Sequence, residues 1–347
     1  MTDDIITKIA GKAGRISLNR PSAIHALTHP MCQAMSAQLS EWASDTSVSA
    51  VILDHSEGRG FCAGGDIRFL ADSGAVGGEA GRAFFHDEYQ LNHQLFTYPK
   101  PVIAFMDGIT MGGGVGISQP ARFRVATENT RLAMPETGIG LFPDVGGGWY
   151  LSRLEGRVGQ FLALTGARVA GAGCLALGLA THYLPSEALD EAKARISEDP
   201  ERADGILGQL SITPPESKIV DQLLQINRLF AADTLEGIIA ALEGDDSEWA
   251  QRERAILSSK SPQTCKIALR QLRESSQLTD FADNMRMEYR IAHRVIVRPD
   301  FIEGVRAVII DKDHAPKWNP ATAAGVTDEL LDAIFAPLPA DEEWKPL

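Results

Sequence analysis

Two glycine-rich stretches decide the fold: Gly58-Arg-Gly-Phe-Cys-Ala-Gly-Gly-Asp66 and Asp107-Gly-Ile-Thr-Met-Gly-Gly-Gly114. Each follows a short apolar run, Ala50-Val-Ile-Leu-Asp54 or Pro101-Val-Ile-Ala-Phe-Met106, which is typical of a buried strand. Each also precedes residues that can open a helix. The same order begins a third time at Phe123-Arg-Val-Ala126. Repeated strand–turn–helix units predict an α/β fold in which the units stack on one another.

The two glycine-rich turns offer backbone N–H groups to a ligand. Glycine has no side chain to block the approach, and an N–H at a helix start has no partner within the helix. One N–H from each turn, at Gly65 and at Gly113, could bind a single oxygen as an oxyanion hole, where each donor is worth roughly 2.7–4 kcal/mol. The alternative is that both turns only permit tight packing. Neither turn has GxGxxG spacing and the chain has no Walker-type GxxxxGKS/T, which disfavours a nucleotide-binding fold.

A second candidate for chemistry is the segment Met134-Pro-Glu-Thr-Gly-Ile-Gly-Leu-Phe-Pro-Asp144. Its two acids, Glu136 and Asp144, are flanked by apolar residues and glycines. Poor solvation raises the pKa of a carboxyl group and with it the basicity of the carboxylate. Of two such groups, one can attack the substrate or act as a base, while the other donates a proton or orients the substrate. The alternative is a pair of acids that cap loops.

The rest of the chain divides into an alternating first part and a helical second part. Residues 16–18 are predicted to form a strand, and residues 31–43 show helical spacing. From about residue 150 the pattern is mainly helical, and residues 195–258 look like an added helical segment. We therefore expect a core of strand–turn–helix units over residues 1–190 and a helical region over residues 191–347.

Composition excludes several classes of protein. The 347 residues are 44% hydrophobic and 23% charged, as in soluble globular proteins, and no apolar run is long enough to cross a bilayer. The net charge of −13 argues against a nucleic-acid partner. The acidic start lacks the apolar core of a signal peptide, so a cytoplasmic location is expected. The four cysteines form no CxxC pair, which indicates neither a zinc site nor a disulfide framework.

Other catalytic patterns are weak. The sequence has no GxSxG elbow and no HExxH motif, so a serine hydrolase has no visible support and no metal site is expected. His86 and His93 lie seven residues apart on an expected helix, which is not a usual spacing for zinc ligands. We interpret them as surface or packing residues. From the residues alone, Glu88 on the same helix is predicted to face solvent.

The two glycine turns and their neighbours resemble a known superfamily. Phe61-Cys-Ala-Gly-Gly-Asp66 and Gly108-Ile-Thr-Met-Gly-Gly-Gly114 are similar to the two oxyanion turns of the crotonase (enoyl-CoA hydratase/isomerase) superfamily, and Leu18-Asn-Arg-Pro21 resembles its opening strand and turn. The resemblance implies a crotonase-type spiral of ββα units with a C-terminal helical region and an acyl-CoA substrate. Further stretches resemble the 3-hydroxyisobutyryl-CoA hydrolase branch: residues 133–148, Lys260-Ser-Pro262, Met287-Glu-Tyr-Arg290, residues 301–313 and Pro316-Lys-Trp318.

The resemblance implies a role for each matching residue. Gly65 and Gly113 would supply the oxyanion N–H groups, while Glu136 and Asp144 would be the catalytic carboxyls. Glu88 would contact the acyl group together with Gly113, Glu136 and Asp144, which reverses the interpretation from the residues alone. Three positions would contact coenzyme A: Ala63 and Asp66 beside the adenine, and Ile24 along the CoA chain.

Two positions depart from the superfamily pattern. Hydratases of the superfamily use two glutamates, one just after the glycine run, and at that place this chain has Gly116. Syn hydration of a double bond therefore loses half of its acid/base pair, whereas the added Asp144 suits thioester cleavage. His25 stands where many relatives have Asn, which affects the details of CoA contact and not the fold.

The resemblance therefore implies hydrolysis of a short 3-hydroxyacyl-CoA, foremost 3-hydroxyisobutyryl-CoA of valine catabolism. Glu136 would attack the carbonyl or activate water, and Asp144 would orient the 3-hydroxyl or transfer a proton. Coenzyme A would be part of the substrate, so no separate cofactor is expected. Superfamily relatives often form trimers, so a homo-oligomer is a further expectation. The alternatives are an enoyl-CoA hydratase or isomerase on the same fold, and a non-catalytic acyl-CoA-binding protein.

Overall fold

The computed structural model describes residues 2–347, in which strands and helices alternate up to residue 183 and helices follow. The strands are β1 (Ile5–Ala10), β2 (Ala13–Leu18), β3 (Ala50–His55), β4 (Gly60–Cys62), β5 (Val102–Met106), β6 (Ile109–Met111), β7 (Phe123–Ala126), β8 (Arg131–Ala133), β9 (Val169–Ala170) and β10 (His182–Tyr183). The helices are α1 (His29–Ser44), α2 (Ile67–Ala75), α3 (Glu79–Phe96), α4 (Gly113–Ser118), α5 (Gly147–Leu151), α6 (Val158–Thr165), α7 (Gly171–Ala176), α8 (Leu189–Glu198), α9 (Ala203–Leu210), α10 (Lys218–Asp221), α11 (Leu223–Leu229), α12 (Leu235–Glu243), α13 (Glu248–Ser258), α14 (Pro262–Ser275), α15 (Phe281–Val295), α16 (Pro299–Val305) and α17 (Asp328–Phe335).

Each repeating unit contributes one strand to a large sheet and one strand to a small sheet. The large sheet has the order β1-β2-β3-β5-β7-β10, with β1 antiparallel to β2 and the other pairs parallel. The small sheet has the order β4-β6-β8-β9, with only the β8–β9 pair antiparallel. Because helices follow the strand pairs β3/β4, β5/β6 and β7/β8, the chain winds as a spiral of ββα units. The expected fold class is confirmed.

The inner strands β3 and β5 of the large sheet are buried on both faces. In β3, Val51 and Leu53 pack into the main hydrophobic core, while Ala50 and Ile52 belong to a second core that includes residues of α8 and α9. Successive side chains of a strand point to opposite faces, so a strand covered on both sides carries an uninterrupted apolar run. This burial explains the run at residues 50–54 from which the strand was predicted.

The main elements predicted in the first part are present, and short strands were missed, among them β9, β10 and one in each glycine-rich stretch. The strand and helix expected at residues 16–18 and 31–43 belong to the longer β2 and α1. Each glycine-rich stretch also contains a strand of only three residues, β4 or β6. These two strands pair with each other, with Cys62 opposite Thr110. A run of three residues is too short for a periodicity argument, so their pairing was not visible in the sequence.

The second part supplies helices that pack on the first. Helix α15 packs against α3, and α14 packs against α5 and α6. Helices α9 to α13 fall within the segment expected to be added, residues 195–258. The proposed boundary at residue 190 lies within α8, and the division into residues 1–190 and 191–347 stays a prediction. No helix within residues 2–347 is long and apolar enough to span a membrane.

Candidate active site

A cavity of about 380 Å³ opens between the two glycine turns and the C-terminal helical region. Both parts of the chain contribute to its lining. The lining from the first part includes Ala63, Gly65, Glu88, Gly113, Glu136 and Asp144, and the lining from the second part includes Lys260, Val308, Ile309, His314 and Pro316.

The two glycine turns lie against each other at this cavity. A Cβ placed on Gly112 would be 3.4 Å from the Gly64 Cα, and one placed on Gly113 would be 3.3 Å from the Gly64 carbonyl carbon. The backbones of the two turns therefore lie so close that a side chain on either glycine would touch the other turn. The parallel pairing of β4 with β6 produces this approach, because each turn directly follows its strand. The structure thus brings Gly65 and Gly113 together at one cavity, as the sequence predicted for an oxyanion hole.

The N–H groups of Gly65 and Gly113 are not used by the fold. The Leu27 N–H donates to the Gly64 carbonyl at 2.7 Å and the Asp66 N–H donates to the Leu27 carbonyl at 2.9 Å, so the bridge to Leu27 leaves the Gly65 N–H free. Gly113 is the first residue of α4, where an N–H has no acceptor within the helix. Within residues 2–347, neither N–H donates a hydrogen bond, so both can bind a ligand oxygen.

Three carboxyl groups are buried at this cavity. Glu88 on α3 is 2% exposed, and Glu136 and Asp144 on the segment before α5 are each 4% exposed. Burial raises the pKa of all three groups, and it raises that of Asp144 to about 7. Repulsion by Asp144 raises the pKa of Glu88 and of Glu136 further. The pKa rise expected for the two acids of the segment is therefore present.

The hydrogen bonds of the three acids differ. The Tyr89 O–H donates to Asp144 Oδ2 at 2.9 Å, which orients that carboxyl. Within residues 2–347, Glu88 Oε1 and Glu136 Oε2 are buried and have no hydrogen-bond partner. Buried polar atoms are nearly always paired, so two unpaired carboxyl oxygens at one cavity indicate a place for a polar ligand or for water. A Cβ on Gly113 would lie 2.7 Å from Glu88 Oε1, so any larger residue there would displace the Glu88 carboxyl.

The interpretation of Glu88 from the residues alone was wrong, and the resemblance placed it correctly inside. Glu88 lies on the buried face of α3, between Phe84 four residues before it and Leu91 three residues after it. That spacing is the apolar stripe of an amphipathic helix, and it is the signal that could have located Glu88 without the resemblance. On the same helix, His86 is partly exposed and His93 stacks on Phe281, in keeping with surface and packing roles.

The three positions expected to contact coenzyme A are held differently. Ala63 lines the cavity. Asp66 caps α2 through the Phe69 N–H at 3.3 Å and pairs with Arg20 at 2.9 Å. The Ile24 carbonyl accepts from the Ala63 N–H at 2.9 Å. Neither Asp66 nor Ile24 lines the cavity itself, and their contact with coenzyme A stays a prediction.

His25, which stands where many relatives have Asn, makes hydrogen bonds that stabilise the fold. Its ring is fully buried, and its Nδ1 accepts the Arg20 N–H at 2.9 Å. The Nε2–H therefore donates to the Glu57 carbonyl at 2.8 Å, since one ring nitrogen of a neutral imidazole donates and the other accepts. Burial lowers the pKa of His25 and favours this neutral form. The ring joins the turn at residues 20–25 to the loop that leads into β4.

Two residues carried no predicted role, one bonded to Asp144 and one lining the cavity. Tyr89 was not singled out, although it follows Glu88 directly. Lys260 was predicted only as part of the motif Lys260-Ser-Pro262, and its side chain lines the cavity near Glu136. Burial lowers the pKa of Lys260, and the neighbouring Glu136 carboxylate opposes this shift. In the part of the chain that the structure describes, residues 2–347, no cluster of three or more His, Cys, Asp or Glu side chains could hold a metal ion.

A spiral of ββα units with two free glycine amides facing buried carboxyls defines an acyl-CoA enzyme of the crotonase type. Residues 13–335 match the family model described as enoyl-CoA hydratase/isomerase, and the chain belongs to this family. Within it, the chain falls in the 3-hydroxyisobutyryl-CoA hydrolase branch. It is 42% identical to the mitochondrial 3-hydroxyisobutyryl-CoA hydrolase of Danio rerio, over 96% of this chain and 90% of the relative. It is 41% identical to that of Homo sapiens, over 97% and 89%.

Solved structures agree in fold but carry other reaction names. A carnitinyl-CoA dehydratase from Mycobacterium thermoresistibile has a TM-score of 0.94 and 39% identity, over 99% of each chain. An enoyl-CoA hydratase from Rhodobacter sphaeroides 2.4.1 has a TM-score of 0.92 and 36% identity, over 99% of this chain and 100% of the other. The names of similar proteins therefore divide between hydrolysis and hydration.

Proposed function

We propose that this protein hydrolyses the thioester of 3-hydroxyisobutyryl-CoA to give 3-hydroxyisobutyrate and CoA. The observation that carries the proposal is the convergence of two free amides, at Gly65 and Gly113, with the buried carboxyls of Glu136 and Asp144 at one cavity. The curated relatives named above, at 41–42% identity, support the same reaction.

The proposed reaction begins with the thioester carbonyl oxygen bound by the amides of Gly65 and Gly113. As the carbonyl carbon becomes tetrahedral, its oxygen gains negative charge, which these two donors stabilise. Glu136 either attacks the carbon and forms an anhydride that water opens, or it takes a proton from an attacking water. In the first route the carbon–sulfur bond breaks as the anhydride forms, and in the second it breaks after water has added to the carbon; in both routes the CoA thiolate leaves. Asp144, oriented by Tyr89, binds the 3-hydroxyl or supplies the proton that the thiolate takes up.

The rival reaction is hydration of an enoyl-CoA, and the surroundings of Gly116 argue against it. A Cβ on Gly116 would lie 2.5 Å from the Val145 Cβ and 2.9 Å from Asn92 Nδ2. The second glutamate of a hydratase at this position would therefore collide with its neighbours, even before its carboxyl is placed. The space that a hydratase needs for half of its acid/base pair is filled here by Val145 and Asn92.

A panel of acyl-CoA esters tests the proposal. Purified protein is given 3-hydroxyisobutyryl-CoA, 3-hydroxypropionyl-CoA and a short enoyl-CoA, and both free thiol and enoyl absorbance are followed. We expect thiol release from the two hydroxyacyl esters and no change in enoyl absorbance. Loss of enoyl absorbance without thiol release would establish the hydratase instead. Tight binding without turnover of any ester would establish a non-catalytic acyl-CoA-binding protein.

The wider role follows from the substrate. We propose that the reaction serves valine degradation and that it uses no cofactor apart from the CoA of the substrate. The lining of the cavity supports the proposal that no further cofactor is used, because carboxyls, amides and one lysine suffice for thioester hydrolysis. The relatives named above are mitochondrial, so they do not support the expected cytoplasmic location. That location and the homo-oligomer remain expectations.

A further inference from the structure

The loop that carries Asp144 has a backbone that needs support. We name residues 143–148 the acid loop. Val145 directly follows Asp144 and has φ of 53°, and Gly146 has φ of 89°. A β-branched residue at positive φ is disfavoured, because its Cβ crowds the backbone, and it persists only where the surroundings hold it. The position of the Asp144 carboxyl therefore depends on what holds the acid loop.

Glu288 on α15 binds the acid loop from the other half of the chain. Its side chain is fully buried. Glu288 Oε2 accepts the Gly146 N–H at 2.7 Å, and Oε1 accepts the Gly148 N–H at 3.0 Å. Oε1 also accepts from Gln271 Nε2 and from Asn284 Nδ2, both at 2.9 Å. Four N–H donors thus surround one carboxyl group.

This arrangement completes a helix start that the local sequence leaves open. Gly146 is the N-cap of α5 and has no side chain with which to accept the first free N–H groups. Glu288 supplies that acceptor. Glycine at position 148 also lets α14 pack close to the start of α5, because a Cβ there would lie 2.5 Å from Ser275 Oγ on α14.

Gln271 connects the same network to the beginning of the acid loop. Its Nε2 donates to the Pro143 carbonyl at 2.7 Å as well as to Glu288. Glu288 and Gln271 together therefore hold the backbone on both sides of Asp144. Neither side chain lines the cavity, so neither contacts a substrate directly.

We infer that Glu288 is a positioning residue for the reaction: by binding the Gly146 and Gly148 amides it keeps the Asp144 carboxyl at the cavity, and it acts on catalysis only through Asp144. The expected effect of Glu288 on turnover rests on the proposed function, whereas its expected effect on the backbone of the acid loop does not. The glutamate of the motif Met287-Glu-Tyr-Arg290 thereby has a structural role.

The first test measures the loop without any reaction. Hydrogen exchange of the amides at residues 144–148 is compared between the full-length wild type, Glu288→Gln and the control Glu253→Gln. Glu253 is also a buried glutamate, on α13, and it lies away from the acid loop. In Glu288→Gln an NH₂ group replaces one oxygen and faces an N–H donor. We expect exchange in the acid loop to be at least roughly tenfold faster in Glu288→Gln only. Unchanged exchange would overturn the inference.

The second test asks whether Glu288 acts through Asp144. For thiol release, Glu288→Gln should lower kcat by roughly 10–100-fold and change KM much less, because misplacing a reacting group by about 1 Å has an effect of that size. In an Asp144→Asn background, Glu288→Gln should cause no further loss. An equal loss in both backgrounds would show a general structural role and would contradict the inference.

A milder variant covers the case in which Glu288→Gln does not fold. Gln271→Met keeps the volume and removes the donors to Glu288 and to Pro143. It should speed exchange in the acid loop and lower kcat in the same direction by a smaller factor, and an effect on neither would overturn the inference. If wild type releases no thiol from any hydroxyacyl-CoA, the proposed function fails, and the exchange measurements still decide the role of Glu288.

Discussion

At the scale of single residues, the site depends on a carboxyl that is buried without a full set of partners. Glu136 Oε2 has no partner within residues 2–347, and Glu136 is the acid proposed to attack the carbonyl or to activate water. We predict that Glu136→Gln lowers kcat by about 10²–10⁴-fold, which is the usual contribution of a positioned base. Thiol release measures the loss, and circular dichroism should show an intact fold. Near-normal turnover would exclude Glu136 from both roles.

A second prediction concerns how the stability of the protein depends on pH through Asp144. Its pKa is about 7 in the folded protein against the ordinary 3.8, because it is buried. The folded state therefore holds a proton that the unfolded state has released between these values, so the stability contributed by the neutral form is lost as pH rises from about 4 to 7. Asp144→Asn escapes this loss while keeping an acceptor for the Tyr89 hydroxyl. Its melting temperature relative to wild type should rise with pH and level off above pH 7. A difference that does not change with pH would contradict this assignment.

The sequence was informative about residues whose neighbours lie close in the chain. Gly65, Gly113, Glu136 and Asp144 could be proposed because glycine runs and paired acids are local patterns. Glu88 required the resemblance, since a single acid on a helix can face either way. Glu288 and the positive φ of Val145 could not be foreseen, because the amides that need Glu288 are some 140 positions away from it.

At the scale of elements, α4 and the acid loop share a tight contact. A Cβ on Gly116 in α4 would meet the Val145 Cβ at 2.5 Å. We predict that Gly116→Ala lowers the free energy of unfolding by about 1–3 kcal/mol, the usual effect of overpacking, measured by urea unfolding. The matched control is Gly205→Ala in α9, where an added Cβ meets nothing within 4 Å. The control should be neutral or stabilising, because alanine favours a helix. Equal effects of the two changes on the free energy of unfolding would show that α4 can accommodate a Cβ at position 116 and would contradict the prediction.

The elements also explain which parts of the fold were predictable. Strands such as β3 carry long apolar runs because both faces are covered. Strands β4 and β6 have three residues each and are defined by their pairing with each other. That pairing is a long-range contact, and it is also what joins the two glycine turns. The site therefore depends on the elements that sequence periodicity detects least well.

At the scale of the whole molecule, the acidic chain must still bind a substrate that carries phosphates. The net charge is −13, and within residues 2–347 Lys260 is the one Lys or Arg side chain that lines the cavity. We predict that Lys260→Met raises KM for the acyl-CoA several-fold more than it lowers kcat, because it removes the local attraction for an anionic ligand. The variant Lys218→Met, on α10 outside this cavity, is the control. A loss confined to kcat would instead assign Lys260 to the chemistry beside Glu136.

The two parts of the chain should unfold together, although their sequence patterns differ. Helix α15 packs on α3, and Glu288 from α15 caps α5, so the second part completes both the core and the site of the first. Removing either part would expose apolar faces and leave buried amides unpaired, which favours one cooperative transition. Hydrogen-exchange pulse labelling in increasing urea, read separately for peptides of residues 2–190 and 191–347, measures this. We expect the same urea midpoint for both sets. A clearly lower midpoint for one set would show that the boundary near residue 190 separates independently folding units.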